Sequence, residues 1–295
     1  MLKFKYFIQA LILGLIVYSC GDNDTNQIVD NFDHSAQAIK DNDSIVKFLK
    51  NHYFDKTADS IKPLESGKLP LFEDSRLLTR EINEFDVNYT YYCFVKEQEE
   101  PANDKGFPTV MDSILAVYKL KTLNNTSEVE TVEEIINPVW FDPINIIPAV
   151  RGWIYAFTHF KGGNIVENND EPIRYEMGGE GFFILPSGLA YRNGGPLPNT
   201  ILLYYVNLYD FIKDTDHDSD NIPSIYEDID QDGRPWNDDT DNDNTLNFLD
   251  RDDDNDSVLT RDEDRNKDND PRNDFNDPEN PNLPDYLNNK IRFKK

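Results

Sequence analysis

The chain is poor in the residues that most enzyme chemistry draws on. Its 295 residues include four histidines and two cysteines. It has no His-Glu-x-x-His motif, no phosphate-binding glycine loop and no credible Ser-His-Asp set. Hydrolase chemistry therefore has little to work with. Only one long apolar run occurs, which excludes a multi-pass membrane protein. Positive charge is scarce as well: 29 Lys and Arg face 56 Asp and Glu, for a formal net charge of −27. Phosphate backbones would be repelled, so nucleic acid is excluded as a main partner.

The charge is unevenly spread. Residues 214–289 carry a net −20 and residues 1–213 a net −11. Hydrophobic residues make up 38% of the chain and aromatic residues 12%, enough for a packed core in the first part. The length fits about two domains at ~100–200 residues each. The acidic part cannot fold without neutralisation.

Residues 1–19 read as a secretory leader, with Lys3 and Lys5 ahead of an apolar stretch from Ile8 to Tyr18. Ile16-Val17-Tyr18-Ser19-Cys20 resembles a loose bacterial lipobox, although Leu15 stands one place early. On that reading Cys20 is lipidated and anchors the chain to the outer membrane, periplasmic or surface-exposed. The competing reading is a plain signal peptide or short anchor with an incidental cysteine. Cys93 lies in a strand-like run and reads as a buried structural thiol.

Residues 20–42 read as a polar tether. A helical extension follows over 43–83, with Ile45, Phe48, Leu49 and Tyr53 at helical spacing and Asp43 or Ser44 as its cap. Strands are expected at 87–96, 112–121, 180–185 and 200–210. A helical stripe runs from Pro148 to Phe160, stopped by Gly162-Gly163, and 163–180 reads as a long loop. The fold class is α+β.

Several blocks carry a family resemblance. Ala149-Val150-Arg151-Gly152-Trp153 followed by Phe160-Lys161-Gly162-Gly163 resembles the central signature of FKBP-type peptidyl-prolyl isomerases. Leu185-Pro186-Ser187-Gly188-Leu189-Ala190-Tyr191, the segment 197–208 and Val117-Tyr118 resemble further blocks in family order. The resemblance covers residues 84–213 and implies an antiparallel sheet wrapped around one helix. It implies Trp153 as the pocket floor. Tyr118, Trp140 or Phe141, and Tyr204 are implied as walls, with Leu197 on the proline side. The Tyr191 hydroxyl and the Val150 N–H are implied as donors to substrate. Val129 and Glu130 stand at the family's Phe and Asp places, and Arg192 where it has Gly. The implied activity is isomerisation of proline-containing polypeptides by a monomer, without a catalytic cofactor, in the folding of extracytoplasmic proteins. The alternative is an envelope assembly or adhesion component that only binds.

From Asp214 the text becomes a repeat of alternating Asp broken by short apolar phrases. Asp214, Asp216, Asp218 and Asp220, then Asp228, Asp230 and Asp232, then Asp241 and Asp243, then Asp252, Asp254 and Asp256 are candidate ligands. Hard cations such as Ca²⁺ take ~6–8 oxygens, and acids at alternate positions can wrap one if the backbone turns. Asn221, Gly233 and Asn244 are placed to make those turns. The stretches resemble thrombospondin type 3 repeats, which implies structural Ca²⁺ in residues 214–289. The competing reading is a solvated acidic tail. His217 reads as an exposed bystander.

Overall fold

The computed structural model describes residues 30–98, 105–123, 129–146, 150–167, 174–176 and 178–292. The leader, Cys20 and the expected tether as far as residue 29 lie outside these residues. Contacts divide the chain into two compact units, Met1–Phe32 and Asp33–Lys295. All the described helices and strands belong to the second unit.

Helix α1 spans His34–Lys50, so it begins well before the expected 43. Asp33 is its cap, accepting the Ala36 N–H at 2.9 Å. The apolar stripe hid the first turns because one buried position is Asp41, which accepts the Ser187 N–H and hydroxyl at 2.8 and 2.6 Å. Burial raises the Asp41 pKa, and the Ser187 hydrogen bonds oppose it. A hairpin follows, β1 (His52–Asp55) with β2 (Ser60–Pro63).

The main sheet has six antiparallel strands: β3 (Leu77–Glu84), β4 (Val87–Gln98), β5 (Ile114–Leu123), β6 (Val129–Phe141), β9 (Gly179–Leu185) and β10 (Ile201–Phe211). Their spatial order is β3-β4-β9-β10-β5-β6. The expected long loop contains a small hairpin, β7 (Asn164–Val166) with β8 (Arg174–Glu176).

Alternation places the two cores. Along β10, Leu202, Tyr204, Val206 and Leu208 face one cluster, while Ile201, Leu203 and Tyr205 face the other. On β4, Tyr89, Tyr91 and Cys93 join the first and Tyr92 and Phe94 the second. Successive strand residues point to opposite faces, so both faces of this sheet are covered. Ile45, Phe48 and Leu49 of α1 cover the second face.

The first face packs on a much shorter helix than expected. After α2 (Pro143–Ile146), α3 spans only Gly152–Ala156 and runs into a 3₁₀ turn, Phe157–His159. All five α3 residues are buried. The apolar stripe there is not one side of an amphipathic helix but a plug enclosed on all sides. Its end precedes Gly162-Gly163: Phe160 is already extended at φ −108°.

Beyond Phe211 the described chain has 3₁₀ turns and neither α-helix nor strand. It is not a detached string. Trp236 packs edge-on against Tyr155 at 6.2 Å, with the Arg151 guanidinium 4.8 Å from its ring. Met111, Ile144 and Phe248 form a separate apolar cluster joining the two parts. The His217 side chain is 6% exposed, which corrects the exposed bystander. Its Nδ1 lies 2.8 Å from the Ser224 hydroxyl and its Nε2 3.4 Å from Asp142.

Candidate functional sites: an aromatic cluster and an acidic loop array

Three strands bring rings around Trp153 in α3. Tyr118 of β5 stands opposite Val206 of β10 and Ile135 of β6. Phe141 ends β6, and Tyr204 sits mid-β10 between Leu120 and Phe183. Ring centroids of Tyr118, Phe141 and Tyr204 lie 5.2, 5.3 and 5.3 Å from that of Trp153, at interplanar angles of 80–85°. Such edge-to-face pairs add ~0.5–1.5 kcal/mol each beyond area burial.

The indole is 5% exposed and Tyr204 2%. Tyr118, Phe141, Tyr191 and Leu197 are only partly buried against the same core. Access to the cluster therefore runs over those four. The Trp153 indole N–H is buried without a hydrogen-bond partner. Val150 is buried, and its carbonyl accepts the Trp153 N–H at 3.2 Å.

Three phenols share the cluster, and all have raised pKa values. Burial is the main cause for Tyr118, followed by the Glu133 carboxylate, which accepts its hydroxyl, and by Tyr191. Burial and Glu133 act on Tyr191; burial, Tyr191 and Tyr118 act on Tyr204. The hydroxyls stay protonated at neutral pH and so remain hydrogen-bond donors.

Two expectations need correction. Trp140 is 44% exposed and opposite Leu115. Neighbours on a strand face opposite ways, so Phe141 alone turns toward Trp153. Glu130 stands opposite Thr122, near the far end of β6 from Ile135, the partner of Tyr118. The acid beside the hydroxyls is Glu133 instead. Only the register of β5 on β6, with its two irregularities, could have revealed it.

A hollow of about 430 Å³ lies elsewhere, lined by Phe54 of the β1–β2 hairpin together with Lys96, Lys121, Phe182 and Tyr205 of the main sheet. Of the aromatic residues singled out from the sequence, Tyr118 alone borders it. Cys93 is fully buried and burial pushes its thiol up, so it is a poor nucleophile.

The tail resolves into five loops beginning at Asp216, Asp228, Asp239, Asp252 and Asp264. In each, the first Asp accepts at least two downstream N–H groups. One comes from the sixth position, and the distances run from 2.8 to 3.1 Å for Asn221, Gly233, Asn244, Ser257 and Asn269. Those five residues have φ of 79°, 85°, 76°, 77° and 66°. The left-handed turn lets alternate carboxylates converge. Each loop then enters a 3₁₀ turn whose C-cap is an acid: Glu227, Asp238, Asp250, Glu263 and Asp274.

Carboxylate oxygens gather in five groups, each within 4.8 Å: Asp216-Asp218-Asp220, Asp220-Glu227-Asp253, Asp228-Asp230-Asp238, Asp239-Asp241-Asp243 and Asp252-Asp254-Asp256. Asp214 and Asp232 fall outside them; Asp232 accepts the Asn237 side-chain amide at 3.1 Å. Glu227 and Asp238 enter without having been expected, and Asp239 and Asp253 join from within the acidic runs. For Glu227 a signal existed, since it stands at the twelfth place of its loop, where EF-hand loops carry a bidentate Glu. Glu263 has the same place in the loop from Asp252.

A cation fits the donor set. Asp218, Asp220, Asp254 and Asp256 each have a buried oxygen without a hydrogen bond, and Glu227 and Glu263 have two. Burial, then mutual repulsion, raises Glu263 to about 9 and pushes Asp218 well above the usual carboxylate range. Sealed carboxylates without partners are costly, and all-oxygen sets suit hard divalent ions.

Residues 217–288 match the BamM C-terminal family. Among solved structures, a multi-domain immunophilin from Arabidopsis thaliana aligns at 16% identity and a TM-score of 0.33. That alignment covers 46% of this chain and 49% of that one, so it spans about half the length of each. No curated protein matches this chain.

Proposed function

We propose that residues 84–213 form an FKBP-like domain that binds proline-containing segments of extracytoplasmic polypeptides and isomerises their X-Pro bonds. The observation carrying this reading is the convergence of Tyr118, Phe141 and Tyr204 on one indole from separate strands. Rotation about the peptide bond meets an amide-resonance barrier of ~18–20 kcal/mol. Crossing it requires no nucleophile. It requires an apolar surface that holds the pyrrolidine ring and favours the twisted amide over the planar one. The protonated Tyr191 hydroxyl is suited to donate to a substrate carbonyl, whereas the Tyr118 hydroxyl is already given to Glu133.

The tail is a calcium-loaded spacer, and its support is the set of sealed carboxylates without hydrogen-bond partners. Cys20 supplies the lipid anchor. The tail's similarity to the BamM C-terminal family favours outer-membrane assembly as the setting.

The test is isomerisation of an Xaa-Pro peptide by the full chain, followed by exchange NMR with Ca²⁺ present. Catalysed exchange that disappears in Trp153→Leu supports the enzyme. Peptide binding without exchange leaves the second reading, a binding module. That reading draws on Glu133, a carboxylate placed beside the rings on an exposed strand where the resemblance expects the acid at Glu130. Absence of both binding and exchange overturns the proposal.

A further inference from the structure

Asp220, Glu227 and Asp253 form a group unlike the other four. Its members come from two loops that are far apart in sequence. Asp220 and Glu227 belong to the loop that begins at Asp216, and Asp253 to the loop that begins at Asp252. Their relative exposures are 0%, 0% and 1%. Four oxygens there have no hydrogen-bond partner: Asp220 Oδ2, both Glu227 oxygens and Asp253 Oδ1. The remaining two are used for aim. The Ile222 N–H donates to Asp220 Oδ1 at 2.7 Å, and the Thr260 hydroxyl to Asp253 Oδ2 at 2.9 Å.

The position of Asp253 is the telling detail. Three of the loops, those from Asp216, Asp239 and Asp252, gather their first, third and fifth residues into a group of their own. Asp253 is the second residue of its loop, where the others carry His217, Ile229, Thr240 and Arg265. Alternate side chains diverge, so Asp253 faces away from Asp252, Asp254 and Asp256 and toward the first loop. Arg251 reinforces the meeting, its Nε donating to the Asp218 carbonyl at 2.7 Å. That bond fixes position without neutralising the carboxylates.

We infer that a divalent cation of the calcium class is bound by Asp220, Glu227 and Asp253 and staples the first loop to the fourth. This rests on reading the tail as a cation-loaded array, but it adds a site that belongs to no single loop. Calcium is favoured over magnesium because Mg²⁺ keeps several waters in a strict octahedron, and these carboxylates are shut off from solvent. Glu227, with both oxygens unpaired, is a bidentate donor. The tail is then a closed body and not a flexible chain of independent beads.

Asp253→Asn and Glu227→Gln in the full chain test this, with Asp241→Asn in the third loop as control. Both test changes keep the side-chain shape and remove a charge from a sealed cluster. The metal-free variants therefore fold at least as well as the metal-free parent. Three results are expected. Equilibrium dialysis with Ca²⁺ shows one bound ion fewer in each. The unfolding midpoint rises relative to parent in chelator and falls relative to parent in saturating Ca²⁺. Amide exchange over residues 216–227 speeds up at least ~10-fold in Ca²⁺-loaded Asp253→Asn, although that change lies in another loop, and not in Asp241→Asn. Parental stoichiometry with unchanged exchange over 216–227 overturns the staple while leaving the array intact. A parent chain that binds no Ca²⁺ overturns both.

Discussion

Trp153 shows how one residue can serve packing and binding together. It is buried, ringed by Tyr118, Phe141, Phe157 and Tyr204, and holds an unpaired N–H. Trp153→Ala should cost about 3–5 kcal/mol of stability by leaving a cavity, read from denaturant unfolding. Trp153→Phe should keep the fold and weaken proline-peptide binding at least ~10-fold by titration; parental affinity in that variant would remove the indole from the site. His159 belongs to the same scale. It stacks on Tyr91 at 6.0 Å, and burial, with Arg80 nearby, pushes it down to about 4. An unfolded histidine protonates near ~6.5. Between those values the unfolded chain binds the extra proton, so the contribution of His159 to stability is complete above about pH 6.5 and is lost as pH drops toward 4. Unfolding midpoints for the parent and His159→Gln check this: the variant should show a shallower loss across that window.

At the scale of elements, strand legibility followed burial. The central strands β4, β9 and β10 are lined on both faces and carry dense Tyr, Phe, Ile and Leu, so they stand out in the sequence. The edge strands β3 and β6 do not. β6 reads Val-Glu-Thr-Val-Glu-Glu-Ile-Ile-Asn-Pro-Val-Trp-Phe, with Pro138 inside it and Ile136 76% exposed. An edge strand has no second neighbour demanding a donor, so it tolerates proline and acids and loses its pattern. Missing β6 is what left Trp140 against Phe141 unresolved and put the expected acid at Glu130 instead of Glu133. The β4–β9 pairing offers a direct test. A Cβ on Gly181 would meet the Phe94 carbonyl oxygen, which is backbone and cannot swing aside. Gly181→Ala should therefore destabilise by about 1–3 kcal/mol, measured by chemical denaturation, whereas Gly194→Ala, with open space at its Cβ, should be nearly silent.

At the scale of the whole molecule, charge decides whether the tail is a body or a coil. A net −20 over residues 214–289 repels itself unless cations sit among the carboxylates. Chelation of the full chain should enlarge its hydrodynamic radius while leaving the near-ultraviolet signal of the Trp153 cluster in place. Trp236, which bridges the tail to Tyr155 and Arg151, should report the change. A calcium-dependent fluorescence shift is expected in the parent and lost in Trp236→Phe. An unchanged radius in chelator would mean that the tail is held by its apolar contacts alone.

The sequence alone carried the class of the fold, the central strands, the aromatic residues and the acidic repeat. Each is a local property: side-chain periodicity, composition, or the spacing of carboxylates along a turn. What only the tertiary structure decided depends on register and on contacts between distant segments. It put Phe141 and not Trp140 on Trp153, brought Glu133 to the phenols, buried Asp41 under Ser187, and set Asp253 against Asp220 and Glu227. No local rule reaches these, because a shift of one residue in a strand or loop turns a side chain to the opposite face, and the cost of that shift is set by neighbours the local sequence does not contain.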